Sequence, residues 1–453
     1  MKKIIINILM AYCLWPVTGI AQTNYSSAIE KYMEAQANVK GFSGVVLVAN
    51  NGGIIYQKAF GYSDREWKIK NTIDSKFEIG SLTKQFTAAA ILLLAEQHKL
   101  SLNDKLSTYF PGYPKGDSVT IHMLLNHTSG IADYTGLPRF FALHTLPLAK
   151  DSVIALFKNQ PYTFSPGTKW NYSNSGYFLL GCIVEKVSKQ SYGDFLKQHI
   201  LDKASLTNTA VNRIDSVLAL RVKGYSRSEN GVWRNAEYFS MEFPFSAGSL
   251  ISTIQDLYNW ENALLKGKII SKESLSQMTT PYLNHYGYGL SIDTLEHHRR
   301  ISHSGAIPGF TSYLSDFPND NISIIILSNN DSPVGAIADG LSSILFNLPY
   351  QMPYIPKEVV INYAVLKKYV GKYQIPQPTG ATNFELLAES NKLYLKPEGN
   401  GDFKMELKPE SETKFFFDRD HDQEIEFVLD STGNIVKYYF INKGIKLEIK
   451  RRN

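Results

Sequence analysis

A serine and a lysine three residues apart carry the strongest chemical signal in this sequence. Ser81 and Lys84 open an apolar stretch with helical patterning, residues 85–94. Residues three apart lie on one face of a helix, so the lysine amine can reach the serine hydroxyl. Serine becomes a strong nucleophile only when a nearby base takes its proton, and a desolvated lysine can be that base. The pair is therefore a candidate for covalent catalysis, and motifs elsewhere in the chain must decide between this and a chance match. The same pattern recurs at Ser411 and Lys414, in a strand-like stretch where the two side chains should not converge.

Two later motifs could complete such a site. Tyr172 could relay protons, and the amide of Asn174, two residues on, could donate a hydrogen bond to a substrate carbonyl. Residues 303–306, His-Ser-Gly-Ala, end a predicted strand. A glycine there would let a substrate backbone approach, and an edge strand would offer it unpaired main-chain groups.

The segments around these motifs alternate in a simple order. Two β-rich runs, residues 42–49 and 53–60, are joined by Asn50-Asn51-Gly52, which is a hairpin signal. Helical patterning then covers residues 83–98, 121–125, 175–189, 192–199 and 254–265, and strand patterning returns at 299–303, 310–316 and 322–328, before a helix-like run at 334–345. Strands at both ends with helices between them predict an α+β fold, in which one antiparallel sheet joins both ends of the segment. The helices would form an insertion packed on one side of that sheet.

The C-terminal part of the chain has a different character. Residues 348–358 contain two prolines and little periodicity, which predicts a linker. Beyond it, turn residues separate seven short alternating runs: 384–387, 392–396, 403–408, 414–417, 424–429, 435–441 and 445–450. They predict an antiparallel all-β domain over residues 359–453, either a small barrel or a curved sheet.

The N-terminus is typical of a secretory signal peptide, residues 1–21, with cleavage predicted after Ala21. Two lysines precede an apolar core at residues 4–15, and small residues follow it. Because this core is too short to span a bilayer, a retained membrane anchor is the less favoured alternative. We therefore expect a periplasmic or secreted protein with no stable membrane anchor after cleavage.

Composition excludes several classes of function. Loss of the two signal lysines lowers the net charge from +5 to +3, and no basic patch interleaved with aromatic residues is present, so nucleic acid is not an expected partner. His122 and His127 lack the His-Glu-x-x-His pattern of a zinc site, and glycine-rich phosphate loops are absent. We therefore expect no metal and no cofactor.

Taken in order along the chain, the three motifs resemble the set that marks class C β-lactamases and penicillin-binding proteins: Ser81-x-x-Lys84, Tyr172-x-Asn174 and His303-x-Gly305. Supporting stretches also resemble the wider serine-hydrolase family: residues 77–80, 122–130, 246–250, 256–257 and 286–289. The resemblance covers residues 25–347 and implies the β-lactamase/transpeptidase fold for them. The C-terminal domain, residues 359–453, resembles the lipocalin-like domains that follow the hydrolase domain in some proteins of this family.

This resemblance implies a role for each matched residue. Ser81 would be the nucleophile, Lys84 its general base or electrostatic partner, and Tyr172 the proton relay to the leaving group. Contacts to the substrate would come from Asn174, His303, Ser304 and Gly305. The main-chain N–H groups of Ser81 and Ala306 would form the oxyanion hole.

One departure affects the expected substrate. The β-lactamases of this family carry lysine where this chain has His303, and histidine is largely neutral at pH 7, which argues against efficient β-lactam turnover. The hypothesis is a secreted serine hydrolase that cleaves an amide or ester of a small molecule or peptide through a Ser81 acyl-enzyme. D-amino-acid peptidase or carboxypeptidase, esterase and β-lactamase activities stay open within it. The alternative, which the appended β domain motivates, is a non-catalytic penicillin-binding-like sensor or binding protein. Under either hypothesis, the β domain could cap the cleft or mediate formation of a homo-oligomer.

Overall fold

The computed structural model describes residues 18–213, 215–228, 232–377, 380–417, 423–442 and 445–452. The lysines and apolar core of the predicted signal peptide lie outside these residues. Within the described ranges, no helix is both long enough and apolar enough to cross a membrane.

The described helices are α1 Thr18–Val39, α2 Thr83–Glu96, α3 Leu106–Tyr109, α4 Ile121–Leu125, α5 Pro138–Leu143, α6 Lys150–Phe157, α7 Asn174–Ser188, α8 Tyr192–Leu196, α9 Phe245–Gly248, α10 Ile254–Leu265, α11 Lys272–Met278, α12 Val334–Leu345 and α13 Tyr363–Lys368. The strands before the tail are β1 Gly44–Asn50, β2 Gly53–Phe60, β3 Tyr62–Asp64, β4 Ile69–Lys70, β5 Phe77–Glu78, β6 Ala210–Val211, β7 Tyr225–Arg227, β8 Trp233–Asn235, β9 Leu250–Ser252, β10 Ser291–Leu295, β11 His298–Ile307, β12 Phe310–Phe317 and β13 Ile322–Ser328. Those of the tail are β14 Gly371–Gln377, β15 Gly380–Glu389, β16 Lys392–Pro397, β17 Met405–Pro409, β18 Lys414–Phe417, β19 Gln423–Leu429, β20 Ile435–Asn442 and β21 Ile445–Arg452.

Six strands form the central antiparallel sheet, in the order β10-β11-β12-β13-β1-β2. Strand β1, the first of these strands along the chain, pairs with β13, the last, with Gly44 opposite Ser328 and Val46 opposite Ile326. The prediction of an α+β fold whose sheet joins both ends of the segment is therefore confirmed.

Helices cover both faces of this sheet. On one face, Val45 and Leu47 of β1 belong to the core shared with the helices inserted between β2 and β10. On the other face, Val46 and Val48 pack in a core with residues of α1 and α12. Burial on both faces explains why β1 is a continuous apolar run rather than an alternating one.

Helix α2 lies in the middle of the helical insertion, and every residue from Thr83 to Leu94 is buried. Phe86 stacks on Trp260 of α10 with ring centroids 4.0 Å apart. The Thr87 hydroxyl donates to the Ser246 carbonyl at 2.6 Å. These contacts fix the helix against its neighbours and therefore hold the turn at its start.

The tail forms a closed barrel of eight antiparallel strands, β14 to β21, closed by pairing of β14 with β21. Its interior is filled by aromatic and aliphatic side chains such as Tyr373, Phe384, Phe415 and Phe427. The expected small all-β domain is confirmed, with one strand more than the seven predicted. Between α12 and α13, where a linker was predicted, the described chain contains no helix or strand.

Candidate active site

Ser81 lies in the turn that leads from β5 into α2. The preceding residue, Gly80, has a φ of +51°, a left-handed conformation that glycine adopts readily. A Cβ on Gly80 would lie 2.8 Å from the nitrogen of Ala306. Backbone conformation and close packing both require glycine here. They place Ser81, partly exposed, at the start of α2, where the helix dipole favours negative charge.

The side chain of Lys84 is fully buried, and its amine has three neutral acceptors. Its Nζ lies 3.0 Å from the Ser81 Oγ. It also lies 2.9 Å from the Asn174 Oδ1 and 2.8 Å from the carbonyl oxygen of Ala247. Burial lowers the pKa of Lys84 from 10.5 to about 7, although the charge of Asp133 acts in the opposite direction. A large fraction of the amine is therefore neutral near pH 7 and able to accept a proton from Ser81.

Tyr172 lies beside this pair. The centre of its ring is 4.8 Å from the Lys84 Nζ. Burial raises the pKa of the Tyr172 hydroxyl, while a hydrogen bond with Ser81 acts in the opposite direction. The phenol therefore stays protonated at neutral pH and has a proton to donate beside Ser81.

Asn174 begins helix α7, and its side-chain amide already makes contacts within the protein. Its Oδ1 accepts from Lys84, and its Nδ2 donates to the Asp133 Oδ2 at 3.3 Å and to the Thr135 Oγ1 at 3.4 Å. The main-chain N–H of Asn174 donates to the Asp133 Oδ1 at 2.9 Å. In the described contacts the amide thus positions Lys84, and its expected role toward a substrate stays a prediction. Asp133 was missed by sequence reasoning, because a single carboxylate in a loop carries no distinguishing pattern.

Residues 303–306 lie in β11, alongside the Ser81 turn. Strand β10 pairs with β11 only as far as Ser302. From His303 to Ile307, β11 therefore has no partner strand on that side among the described residues. Ser304 and Ala306 are exposed, so this stretch of main chain is available to an extended ligand.

Close packing against the segment before Ser81 requires a glycine at position 305. A Cβ there would lie 2.1 Å from the carbonyl oxygen of Ile79 and 2.3 Å from the Ser312 Oγ. The Ser312 hydroxyl itself donates to the Ile79 carbonyl at 2.8 Å. The missing side chain therefore lets the segment before Ser81 approach β11, and the expected approach of a substrate backbone at Gly305 stays a prediction.

The imidazole of His303 is 5% exposed, and both of its nitrogens have partners inside the protein. Nδ1 lies 2.6 Å from the Ser304 carbonyl oxygen, and Nε2 lies 2.8 Å from the Tyr286 hydroxyl. Because a carbonyl can only accept, Nδ1 carries the proton and Nε2 accepts from Tyr286. Burial and, to a smaller extent, the charge of Lys84 lower the pKa of His303 to about 3, although the hydrogen bond with the Ser304 carbonyl acts in the opposite direction. The ring is therefore neutral at pH 7.

His127 joins the aromatic side chains of the site. Its Nδ1 accepts from the main-chain N–H of Ser173 at 3.1 Å, and its carbonyl accepts from Asn171 at 3.0 Å. Its ring centroid lies 4.4 Å from that of Tyr172 and 4.6 Å from that of Tyr286. Burial lowers the pKa of His127 well below its usual value, and the charge of Lys84 adds to this. A neutral imidazole thus holds the loop that presents Tyr172.

A cavity of about 290 Å³ lies beside Glu78, in the segment before Ser81. Phe239, Met241 and Phe310 contribute apolar walls, and Glu78 and Arg221, an ion pair at 3.6 Å, contribute polar ones. Glu78 precedes Ser81 by three residues in the chain, and Ser81 itself is not among the residues that line this cavity.

No group of three or more histidine, cysteine or acidic side chains that could hold a metal ion occurs in the part of the chain that the structure describes. His122 hydrogen-bonds the Tyr288 hydroxyl through Nδ1 at 2.7 Å and the Asn126 amide through Nε2 at 3.0 Å. Both of its ring nitrogens are thus engaged in structural contacts.

Comparison with known proteins agrees with this geometry. Residues 27–343 match the Beta-lactamase family. The chain is 33% identical over 429 residues to Penicillin-binding protein 4* of Bacillus subtilis, covering 88% of this chain and 93% of that protein. The octameric penicillin-binding protein homologue from Pyrococcus abyssi superimposes with a TM-score of 0.66 at 25% identity, covering 95% of this chain and 100% of that one. A D-stereospecific amidohydrolase from Streptomyces sp. gives a TM-score of 0.60 at 27% identity, covering 68% and 94%.

Proposed function

Because this chain belongs to the Beta-lactamase family of serine hydrolases, we propose that it cleaves an amide or ester bond through an acyl-enzyme formed on Ser81. The observation that carries the proposal is the 3.0 Å contact between the Lys84 Nζ and the Ser81 Oγ, made by a lysine that is fully buried among neutral acceptors. A lysine that is partly neutral at pH 7 is suited to activate a serine.

In the proposed first half-reaction, the neutral Lys84 amine takes the Ser81 proton as Oγ attacks the substrate carbonyl carbon. The carbonyl oxygen becomes an oxyanion, held by the main-chain N–H groups of Ser81 and Ala306. When the intermediate collapses, the bond to the leaving group breaks and the Tyr172 hydroxyl gives the leaving atom its proton. Lys84 then gives the proton it holds to the Tyr172 oxygen, so that both residues regain their starting forms while Ser81 stays acylated.

In the second half-reaction, water attacks the acyl carbon, and its proton passes to Lys84. The acyl–serine bond breaks, Ser81 regains its hydrogen, and a carboxylic acid leaves. Asn174 and Asp133 take no proton in this scheme, and their part is to hold the Lys84 amine toward Ser81.

Among amides and esters, we favour derivatives of D-amino acids as the substrate class. The likeness to a D-stereospecific amidohydrolase and to a penicillin-binding protein supports this choice. The cavity beside Glu78, with its phenylalanine and methionine walls, would receive the side chain of the acyl residue. The neutral His303 weighs against efficient β-lactam hydrolysis.

A labelling experiment tests the acyl-enzyme directly. A fluorescent fluorophosphonate should label the wild-type protein and Ser411→Ala, and should leave Ser81→Ala unlabelled. Equal labelling of all three would overturn the assignment of Ser81. Labelling together with no turnover of p-nitrophenyl esters or D-amino-acid amides would instead favour a binding protein.

Two further parts of the proposal concern the whole chain. We propose export after cleavage at Ala21, on the grounds of the N-terminal sequence. We also propose self-association through the β domain, residues 359–453, for which the octameric Pyrococcus homologue is the support.

A further inference from the structure

We propose that the protein docks reversibly on the surface of an anionic phospholipid bilayer, through an exposed apolar patch formed by residues 67–73 and 217–220. Docking of this kind buries side chains at the boundary between headgroups and acyl chains and needs no membrane-spanning helix. The inference is independent of the hydrolase function proposed above.

The patch consists of large apolar side chains that the fold leaves in solvent. Trp67 is 77% exposed, Ile69 is 56% exposed and Ile73 is 43% exposed. Leu220 is 56% exposed, and Val217 is fully exposed. Single exposed apolar side chains are common on protein surfaces, but a tryptophan grouped with four aliphatic side chains indicates a surface that becomes buried on binding.

The two segments of the patch are joined through their main chains. Strand β3 pairs with β4, and Trp67 lies in the turn between them. The N–H of Lys76 donates to the Leu220 carbonyl at 2.9 Å, and the N–H of Lys223 donates to the Ser63 carbonyl at 2.9 Å. The hairpin and the segment that contains Leu220 are therefore neighbours, and their exposed side chains can meet one surface together.

Lysines stand among the apolar side chains of the hairpin. Lys68 and Lys70 flank Ile69, and both are exposed. Lysines in this position attract anionic headgroups, while the apolar side chains between them enter the headgroup boundary. Tryptophan, such as Trp67, is enriched at this boundary in membrane proteins.

The carboxylates of the hairpin are engaged within the protein. Asp64 pairs with the Lys223 amine at 2.9 Å, and Glu66 accepts from the Tyr225 hydroxyl. Asp74 is exposed. Residues 64–78 and 217–223 together carry six cations and four carboxylates, which gives this surface a net charge of +2. The charge of the patch is therefore complementary to that of an anionic bilayer.

The composition of the patch favours a bilayer over two other partners. The aliphatic side chains gain little from the hydroxyl groups of a glycan, but they gain free energy on transfer from water to acyl chains. A second copy of this chain would place the lysines of two identical patches against each other, and like charges oppose such a contact.

Vesicle binding tests the inference. Wild-type protein should bind vesicles of equimolar phosphatidylglycerol and phosphatidylcholine, with a blue shift in the fluorescence of Trp67. The partition coefficient should fall at least about fivefold on pure phosphatidylcholine, and also in about 0.5 M NaCl, because salt screens the attraction. No binding to the anionic vesicles, or equal binding to both kinds, would overturn the inference.

Substitution of the apolar side chains locates the contact. Trp67→Ala combined with Ile69→Ala should lower the partition coefficient at least about tenfold, because two large apolar side chains no longer leave water. Phe403→Ala is the matched control, since it removes a phenylalanine that is 49% exposed in the barrel. Its partition coefficient should stay within about twofold of wild type. An equal loss in both variants would show that the patch is not the contact.

A second pair of variants separates local charge from overall charge. Lys68→Glu with Lys70→Glu should lower the partition coefficient at least about fivefold. Lys266→Glu with Lys268→Glu changes the net charge by the same amount, at two exposed lysines with the same spacing. This control pair should retain most of the binding, and equal loss in both pairs would contradict docking through the patch.

Sedimentation velocity gives the rival occupant its own result. A dimer that dissociates in Trp67→Ala, together with no vesicle binding, would assign the patch to a second copy of the chain and overturn the inference. Circular dichroism checks that each variant is folded. The wild-type comparison between the two vesicle compositions is decisive by itself, even where a variant does not fold.

Discussion

The chain contains the same four-residue pattern in two places, and only one of them brings its serine and lysine side chains together. At the start of α2, the Lys84 Nζ is 3.0 Å from the Ser81 Oγ. In the barrel, the Ser411 Oγ instead accepts from the main-chain N–H of Lys414 at 3.0 Å. A helix places residues three apart on one face, whereas the turn before β18 uses the serine to close its own backbone.

The surroundings of the two lysines differ as much as their geometry. Lys84 meets neutral oxygens, and burial lowers its pKa to about 7. Burial also acts to lower the pKa of Lys414, but hydrogen bonds with Tyr354 and Glu424 and the charge of Glu424 outweigh it, so the pKa is raised. The Lys414 Nζ lies 3.0 Å from Glu424 and 3.2 Å from Glu410. A buried lysine is thus suited to act as a base only when its partners carry no charge.

The largest expected contrast is in turnover. Lys84→Ala should lower kcat/KM for a p-nitrophenyl ester about 10³-fold, the typical contribution of a general base. Lys414→Ala should leave kcat/KM within about twofold, because Lys414 is in the barrel and contacts none of the site residues. Steady-state kinetics on both variants checks this. A Lys84→Ala enzyme that keeps more than a tenth of wild-type activity would remove the distinction between the two lysines.

Much of the fold could be predicted because its signals are local. The apolar period of 83–98 and the hairpin signal at 50–52 define α2 and the β1–β2 turn to within a few residues. The eighth barrel strand, β14, was missed because Gly371 and Pro376 are residues that strands disfavour. In the closed barrel, pairing with β15 and β21 outweighs that local preference.

The hydrogen-bond partners and charge states of the site residues could not be predicted from the sequence. The acceptors of Lys84 are 90 and 163 residues away in the chain, at Asn174 and Ala247. The hydroxyl that hydrogen-bonds His303 comes from Tyr286, and the carboxylate behind Asn174 comes from Asp133. Motifs indicated which residues meet, but the charge state of each depends on neighbours that only the folded chain brings near.

An intermediate effect is expected in the pH dependence of the reaction. Since the neutral form of Lys84 is the active one and its pKa is lowered to about 7, kcat/KM should be nearly constant above pH 7.5. It should fall about tenfold per pH unit well below pH 7, as the amine becomes protonated. A profile of kcat/KM from pH 5 to 9 measures this, with Lys414→Ala as the matched control that should superimpose on wild type. A kcat/KM that still rises about tenfold per pH unit between pH 8 and pH 9 would show that Lys84 behaves as an ordinary lysine.

The smallest effect belongs to the barrel lysine and should appear in stability alone. Lys414→Ala would leave Glu424, which is 5% exposed, without its cation, and the loss should be about 2 kcal/mol because the pair is only partly buried. Ser411→Ala removes a turn hydrogen bond at an exposed position and should cost less than about 1 kcal/mol. Urea denaturation followed by circular dichroism would compare the two variants with wild type.

The pH dependence of the free energy of unfolding tests the ion pair between Lys414 and Glu424 most sharply. A lysine whose folded pKa is raised contributes stability that is fully present below its unfolded pKa and is lost only as the pH rises through the folded value. The difference between wild type and Lys414→Ala should therefore stay constant from pH 6 to pH 9, the interval in which the activity changes with the protonation of Lys84. If the stability difference instead followed the activity profile through pH 7, the two lysines would not be the independent groups that their separate surroundings imply.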